Sequence, residues 1–139
     1  MSQADVNVSR MPTIVIRIDP EKLEDADLDL RYEIPELLTQ RSQGLLSDAG
    51  YTHEWDSDAL LLFLETKDVT GGLPFVIALL ENDRLHGNDL AAAAMIASSE
   101  REVTDVEQLE VVYPPNAGAL IQVVPGSEPR AFSTRTKGR

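Results

Sequence analysis

Four carboxylates near the start of the chain have the spacing of a calcium-binding loop. Positions 1, 3, 5 and 12 of such a loop supply the oxygen atoms around a hard cation, and here they would be Asp25, Asp27, Asp29 and Glu36. Position 6 needs glycine for a sharp turn but is Leu30. A strand and a proline-initiated helix flank the segment, where the calcium motif has two helices. We therefore interpret it as a solvated acidic loop, and we predict no metal site and no cofactor.

The two histidines are the only side chains that ordinarily titrate near neutral pH. His53 is close in sequence to Glu54, Asp56 and Asp58, so a carboxylate or the imidazole could in principle act as a general base there. A turn crowded with acids and close to solvent is a poor place to tune such a pKa. We therefore predict that the protein is not an enzyme. Whether His86 approaches this neighbourhood is left open by the sequence.

Several catalytic classes lack their signatures. The chain has no cysteine, which excludes a disulfide framework, a thiol nucleophile and thiolate-bound metal. It contains neither the glycine–lysine phosphate loop nor the Gly-x-Ser-x-Gly nucleophile motif. The segment Thr70-Gly71-Gly72 has only Lys67 as a nearby cation. We interpret it as a helix entry turn capped by Thr70.

Charge is distributed unevenly along the chain, whose formal net charge is -12. Residues 125–139 carry one acid and four bases, whereas residues 1–124 carry 23 acids and 8 bases. Such an acidic body repels nucleic acid and anionic membranes and attracts basic protein surfaces. We expect a basic protein partner, no nucleic acid and no membrane.

Aromatic residues are interleaved with the first two acidic clusters. Carboxylates can steer a basic partner while exposed aromatic side chains supply contact energy. The candidate partner-binding residues are Glu24, Asp25, Asp27, Asp29, Tyr32, Tyr51, Glu54, Trp55, Asp56 and Asp58. The hypothesis is a non-catalytic interaction module, such as an inhibitor or immunity-type protein that masks a basic effector. The competing interpretation is that these charges only provide solubility, and exposure of the aromatic rings decides between the two.

Hydrophobic periodicity predicts a single α+β domain over residues 13–124. Its predicted strands are Thr13–Ile18, Leu45–Trp55, Ser57–Thr66, Gln108–Tyr113 and a short last strand, Ala119–Val124. Its predicted helices are Glu33–Gln43, with Pro35 in the first turn and Gly44 at the stop, and Leu73–Arg84. Leu90–Ser99 is open between helix and strand; we favour a strand that pairs with Gln108–Tyr113. This order predicts a ferredoxin-like βαββαβ sandwich, mainly antiparallel, with helices on one face and an additional C-terminal strand.

The central strand Leu60–Leu64 is apolar on both faces, so both faces need cover. Helices cover one face only, and a C-terminal strand or a second subunit must cover the other. The alternative function is therefore a small-molecule-binding or regulatory domain that acts as a homodimer. The expected core residues are Ile14, Ile16, Ile18, Leu37, Leu38, Leu61, Phe63, Leu73, Val76, Ile77, Leu80, Val111 and Tyr113.

The two ends of the chain are poor in periodic apolar residues. We expect flexible segments over residues 1–12 and, as a basic tail, 125–139. Residues 1–11 lack the apolar run of a signal peptide, and we expect a cytoplasmic protein.

Overall fold

In the part of the chain that the structure describes, a six-stranded antiparallel sheet and three helices form an α+β arrangement, which confirms the predicted class. The computed structural model describes residues 12–27, 29–54, 57–100, 107–115 and 118–123. The expected N-terminal segment lies outside these residues except for Pro12, and the tail 125–139 lies outside them entirely. Within the described ranges, no helix has the length and apolar character needed to cross a membrane.

The sheet has the strand order β2-β3-β1-β4-β5-β6, and every neighbouring pair is antiparallel. Its strands are β1 (Thr13–Ile18), β2 (Ser47–His53), β3 (Leu60–Glu65), β4 (Ala94–Ser99), β5 (Glu107–Tyr113) and β6 (Leu120–Val123). The predicted β1 agrees at both ends. The other predicted strands are present but are longer or shorter by a few residues, because turns and bulges take up their ends.

One face of the sheet packs against the helices. Ile14, Ile16 and Ile18 of β1 all point to this face and are buried, as their alternation predicts. Leu60, Leu62 and Leu64 of β3 lie beside them. The helical side of the same core comes from α1 (Leu30–Arg41), α2 (Val69–Asn82) and the single turn α3 (Leu90–Ala93).

The opposite face is covered by the C-terminal strands of the same chain. Val15 and Leu61 belong to a second core cluster, which contains Leu109 and Val111 of β5 and Ile121 and Val123 of β6. A register shift between Ile96 and Ala97, where β4 pairs with β5, bends the sheet at this point. The two-sided hydrophobicity of β3 is therefore explained without a second subunit.

Helix α1 begins three residues earlier than predicted. Asp29 precedes it, and the Asp29 carbonyl accepts hydrogen bonds from the backbone N–H groups of Tyr32 and Glu33. Pro35 consequently lies inside the helix, where it has no N–H to donate to the carbonyl four residues earlier. Gly44 does end the segment as predicted: its N–H donates to the Thr39 carbonyl, and its φ is 87°.

Helix α2 includes the glycines that the sequence placed in a turn. Its cap is Asp68 rather than Thr70, because the Asp68 carboxylate accepts from the Gly71 N–H at 3.0 Å. Gly72 is buried, and a Cβ there would lie 2.8 Å from Leu46 Cδ2. Close contact between the helix and Leu46 thus accounts for glycine at this position. The helix ends at Asn82, and residues 85–87 form a separate 3₁₀ turn.

The segment Leu90–Ser99, which the sequence left open between helix and strand, contains both. Residues 90–93 form one helical turn, and the chain becomes extended at Ala94. β4 pairs with β1 as well as with β5, so backbone pairing on two sides overrides the helix propensity of alanine.

Candidate functional site

The acidic loop between β1 and α1 is held by hydrogen bonds within itself. The Asp19 carboxylate accepts from the Glu21 N–H at 3.0 Å, and Asp27 Oδ1 accepts from the Asp29 N–H at 2.9 Å. These are the side-chain-to-backbone turns that aspartate favours. Glu24, Asp25 and Asp29 are exposed. The loop thus presents its carboxylates to solvent in a defined backbone conformation.

Asn88 attaches this loop to the turn that follows α2. Its side chain is fully buried, with Oδ1 accepting from the Asp25 N–H at 2.8 Å. Its Nδ2 donates to the Asp25 carbonyl at 2.7 Å and to the Leu85 carbonyl at 3.1 Å. No local sequence pattern indicates these contacts, because 63 positions separate Asn88 from Asp25. Asn88 is a positioning residue, because it places the 85–87 turn beside the acidic loop.

His86 lies in that turn and faces three carboxylates. Its backbone is left-handed, with φ of 56° and ψ of 28°. Its Nε2 is 2.8 Å from Glu33 Oε1, and its Nδ1 is 3.8 Å from Asp27 Oδ2. Asp25, Asp27 and His86 each offer one atom that could bind a metal ion, and these three atoms lie within 4.8 Å of one another. The hydrogen bond to Glu33, with the negative charges of Asp27 and Asp25, raises the pKa of His86.

A shallow depression of about 390 Å³ runs from His86 along the exposed side of α1. Glu33, Glu36 and Gln40 supply its polar lining, and Leu37 and Leu85 supply its apolar lining. Carboxylates around an apolar floor suit a ligand with both cationic and aliphatic parts, such as a lysine or arginine side chain.

Tyr32 is the exposed aromatic residue of this region. Its side chain is 51% exposed, and its ring meets Tyr51 edge to face, with centroids 6.1 Å apart. The Arg31 guanidinium lies 4.4 Å from the Tyr32 centroid and 5.3 Å from the Tyr51 centroid. Glu36 follows Tyr32 by four positions and therefore lies on the same side of α1. The structure thus brings the first acidic cluster, Tyr32 and Tyr51 to one side of the molecule. We call this region, from the acidic loop across the first turns of α1, the acidic surface.

The second acidic cluster is arranged differently. Glu54 Oε1 accepts from Arg17 Nε at 2.9 Å and from the Ser57 hydroxyl at 3.0 Å, so its charge is compensated within the fold. Asp58 is exposed, and Trp55 and Asp56 lie outside the described residues. Sequence reasoning did not identify Arg17 as the partner of Glu54, because 37 positions separate them.

The two histidines have different surroundings. His86 contacts Glu33 and Asp27 and lines the depression, whereas His53 is the last residue of β2 and is half-buried. The carboxylate nearest to His86 is therefore Glu33 and not a member of the Glu54 cluster.

No protein-family model, curated protein or solved structure matches this chain. Its chemistry is therefore inferred from the side chains of the acidic surface and the depression.

Proposed function

We propose that this protein is a non-catalytic interaction module that binds a basic protein partner through the acidic surface. The observation that carries the proposal is the half-exposed ring of Tyr32, which lies in the first turn of α1, directly after the acidic loop in sequence and on the helix that carries Glu33 and Glu36. Tyrosine is one of the residues that most often contribute a large share of binding energy at interfaces.

Electrostatics supports the same kind of partner. Asp29, which precedes α1, and Glu36, one helical turn after Tyr32, are solvent-exposed, and the excess of acids over bases in residues 1–124 extends this potential over the molecule. Charge of this kind raises the association rate with a basic protein, and the aromatic ring limits dissociation. Arg31 lies over both rings and closer to Tyr32, which nevertheless keeps 51% of its surface exposed as the accessible contact. An inhibitor or immunity-type protein that masks a basic effector such as a nuclease would have these properties.

A finer description of the fold forms part of the proposal. We infer that β1 to β4 with α1 and α2 make a ferredoxin-like unit, to which β5 and β6 are added. The strand order β2-β3-β1-β4 in a β-α-β-β-α-β sequence of elements supports it. That architecture hosts many unrelated functions and does not by itself favour any of them.

The alternative, a homodimeric small-molecule-binding domain, has less support. Its main argument was the apolar second face of β3, and β5 and β6 cover that face. Sedimentation velocity at micromolar concentration distinguishes the two proposals, since the interaction module is expected to be a monomer by itself. A stable dimer would favour the alternative.

The test of the proposed function is capture followed by titration. The immobilised chain is expected to retain a basic protein from extract at low salt and to release it at high salt. The isolated partner is then titrated against wild type, Tyr32→Ala and the control Leu120→Ala, whose parent side chain is 55% exposed on β6. Tyr32→Ala should weaken binding by about 30-fold or more, and Leu120→Ala should not change it.

Three results would contradict the proposal. They are retention of no basic protein, an affinity that does not change with salt, and equal weakening by the two substitutions. Circular dichroism of each variant establishes that the fold is intact.

A further inference from the structure

His86 and the acidic loop together offer both nitrogen and oxygen atoms as metal ligands, whereas an acidic cluster alone offers only oxygen. An imidazole nitrogen and two carboxylates converge, with one ligand-capable atom of each within 4.8 Å of the others. The sequence-based comparison with a calcium loop considered only oxygens, and it gave no reason to place His86 beside Asp25, 61 positions earlier. A mixed nitrogen and oxygen set is typical of zinc and other first-row divalent ions, whereas calcium prefers oxygen alone.

The two nitrogens of His86 have different partners. Glu33 carries a carboxylate, which can only accept, so Nε2 carries the proton of the 2.8 Å hydrogen bond. In the neutral imidazole this leaves the Nδ1 lone pair directed at Asp27 Oδ2, 3.8 Å away. That distance is too long for a hydrogen bond, and two acceptors facing each other repel. A proton on Nδ1 removes the repulsion, and when the imidazole is neutral a metal ion between the two atoms does the same.

The spacing suits one shared ion. Two ligand atoms at zinc bond lengths of about 2.0–2.2 Å in tetrahedral geometry lie about 3.3–3.6 Å apart. The Nδ1 to Oδ2 distance of 3.8 Å requires only a small side-chain movement to reach this value, and the Asp25 oxygen, which is within 4.8 Å of the other two atoms, must also move closer to them. Asp27 Oδ1 is already engaged by the Asp29 N–H, which orients Oδ2 toward His86.

We propose that Asp25, Asp27 and His86 bind a first-row divalent cation such as Zn²⁺, with water completing the coordination. Glu33 is the positioning residue that fixes the imidazole tautomer, as carboxylates next to metal-bound histidines commonly do. Buried Asn88 holds both backbone segments in place before the ion arrives. This site does not depend on the protein partner proposed above, because all its ligands belong to this chain.

The chain contains its own control for a metal titration, since His53 and His86 are its only histidines. The untagged protein is titrated with ZnCl₂ at slightly alkaline pH, and the imidazole ¹⁵N and ¹³C resonances of both rings are followed by NMR. We expect His86 Nδ1 to shift as a metal-bound nitrogen by one equivalent of Zn²⁺. His53 should not shift, and CaCl₂ at the same concentration should leave His86 unchanged.

Variants separate ligands from the positioning residue. Asp27→Asn removes a ligand charge and should weaken Zn²⁺ binding by at least about 10-fold. Glu33→Gln keeps a hydrogen-bond acceptor beside Nε2 but removes the charge; it should weaken binding by about 10–100-fold and increase the population of the other imidazole tautomer. The matched control Glu65→Gln alters a carboxylate on β3 and should leave the affinity unchanged.

Any of three results would overturn the proposal. The first is a His86 spectrum that does not respond to millimolar Zn²⁺, which would mean that the carboxylates only pair with a protonated imidazole. The second is an equal response of His53 and His86, and the third is an equal affinity for Ca²⁺ and Zn²⁺. These measurements on wild type decide the question even if a variant fails to fold. They are made without the protein partner, so a negative result excludes the metal site and does not bear on the proposed function.

Discussion

The side-chain amide of Asn88 pairs with the backbone of Asp25 as a second peptide group would. It accepts from the Asp25 N–H at 2.8 Å and donates to the Asp25 carbonyl at 2.7 Å, across 63 positions of sequence. One buried residue that carries no charge thus connects the acidic loop to the turn that follows α2. The consequences for binding and stability can be measured separately.

Asn88→Ala should destabilise the fold by about 2–3 kcal/mol. The substitution leaves the Asp25 N–H and carbonyl and the Leu85 carbonyl without this partner, and an unsatisfied buried polar group costs about 1–3 kcal/mol. Urea unfolding monitored by circular dichroism measures the change. Asn82→Ala, at the exposed end of α2, should change stability by less than about 0.5 kcal/mol. Equal effects of the two substitutions would show that the Asn88 amide does not anchor the loop.

Gly72→Ala should destabilise the protein by about 1–2 kcal/mol although alanine favours helices. A Cβ would lie 2.8 Å from Leu46 Cδ2 and 3.4 Å from Ile14 Cδ1. Overpacking of a core costs about 1–3 kcal/mol, whereas replacing glycine by alanine in a helix gains about 1 kcal/mol. Because both contacts are close, we expect a cost in the upper part of that range, which exceeds the gain. A double-mutant cycle with Leu46→Ala tests the cause. Removing the Leu46 side chain should relieve the clash, so the double variant should be more stable than the sum of the single effects predicts. Strict additivity would contradict the assigned contact.

Stability should decrease at acidic pH in part through Asp83. Two hydrogen bonds from Arg41, at 2.7 and 2.8 Å, lower the pKa of Asp83 in the folded state below its unfolded value. A lowered folded pKa means that the stabilisation is present above the unfolded pKa of about 3.9 and is lost as pH falls through the folded pKa. Because the pair is partly exposed, its contribution is about 0.5–1 kcal/mol.

The measurement compares wild type with Asp83→Asn by urea unfolding at neutral pH and at a series of pH values below about 3.9, the ordinary pKa of aspartate in an unfolded chain. The stability difference between the two proteins should be present at neutral pH and should largely disappear at the acidic end. Arg84→Gln, a substitution at an exposed neighbour, should not reproduce this dependence. A difference that stays constant over the whole pH range would exclude the ion pair as its source.

Ile121→Asp should destabilise the protein by about 3 kcal/mol or more, whereas Leu120→Asp should change stability by about 0.5 kcal/mol or less. The two residues are neighbours on β6, but Ile121 is fully buried in the second core cluster and Leu120 is 55% exposed. Chemical denaturation of both variants measures the contrast. Similar effects at the two positions would mean that β6 does not cover the second face of the sheet.

Elements with strong local signals were predictable from the amino-acid sequence. The alternation in Thr13–Ile18 predicted the strand and its inward face correctly, because side chains on a strand alternate between faces whatever surrounds them. The same rule found β5 and β6. It also showed that one face of β3 would need cover in addition to the helices, although not what would cover it.

Helix boundaries depended on tertiary contacts that local propensity does not include. Pro35 and Gly72 looked like residues for a helix start and a turn, but both lie inside helices. Packing of Gly72 against Leu46 outweighs the intrinsic cost of glycine. The run of alanines was likewise divided at Ala94 by backbone pairing with β1 and not by its own composition.

The candidate site shows the same division most clearly. The acidic composition and the tyrosines were visible in the sequence, but which of them share a surface was not. Only the tertiary structure places His86 beside Asp27 and leaves Tyr32 exposed, while Arg17 compensates Glu54. Contacts between residues 37 to 63 positions apart in sequence arise from the packing of the sheet and its helices, and short-range periodicity does not predict them.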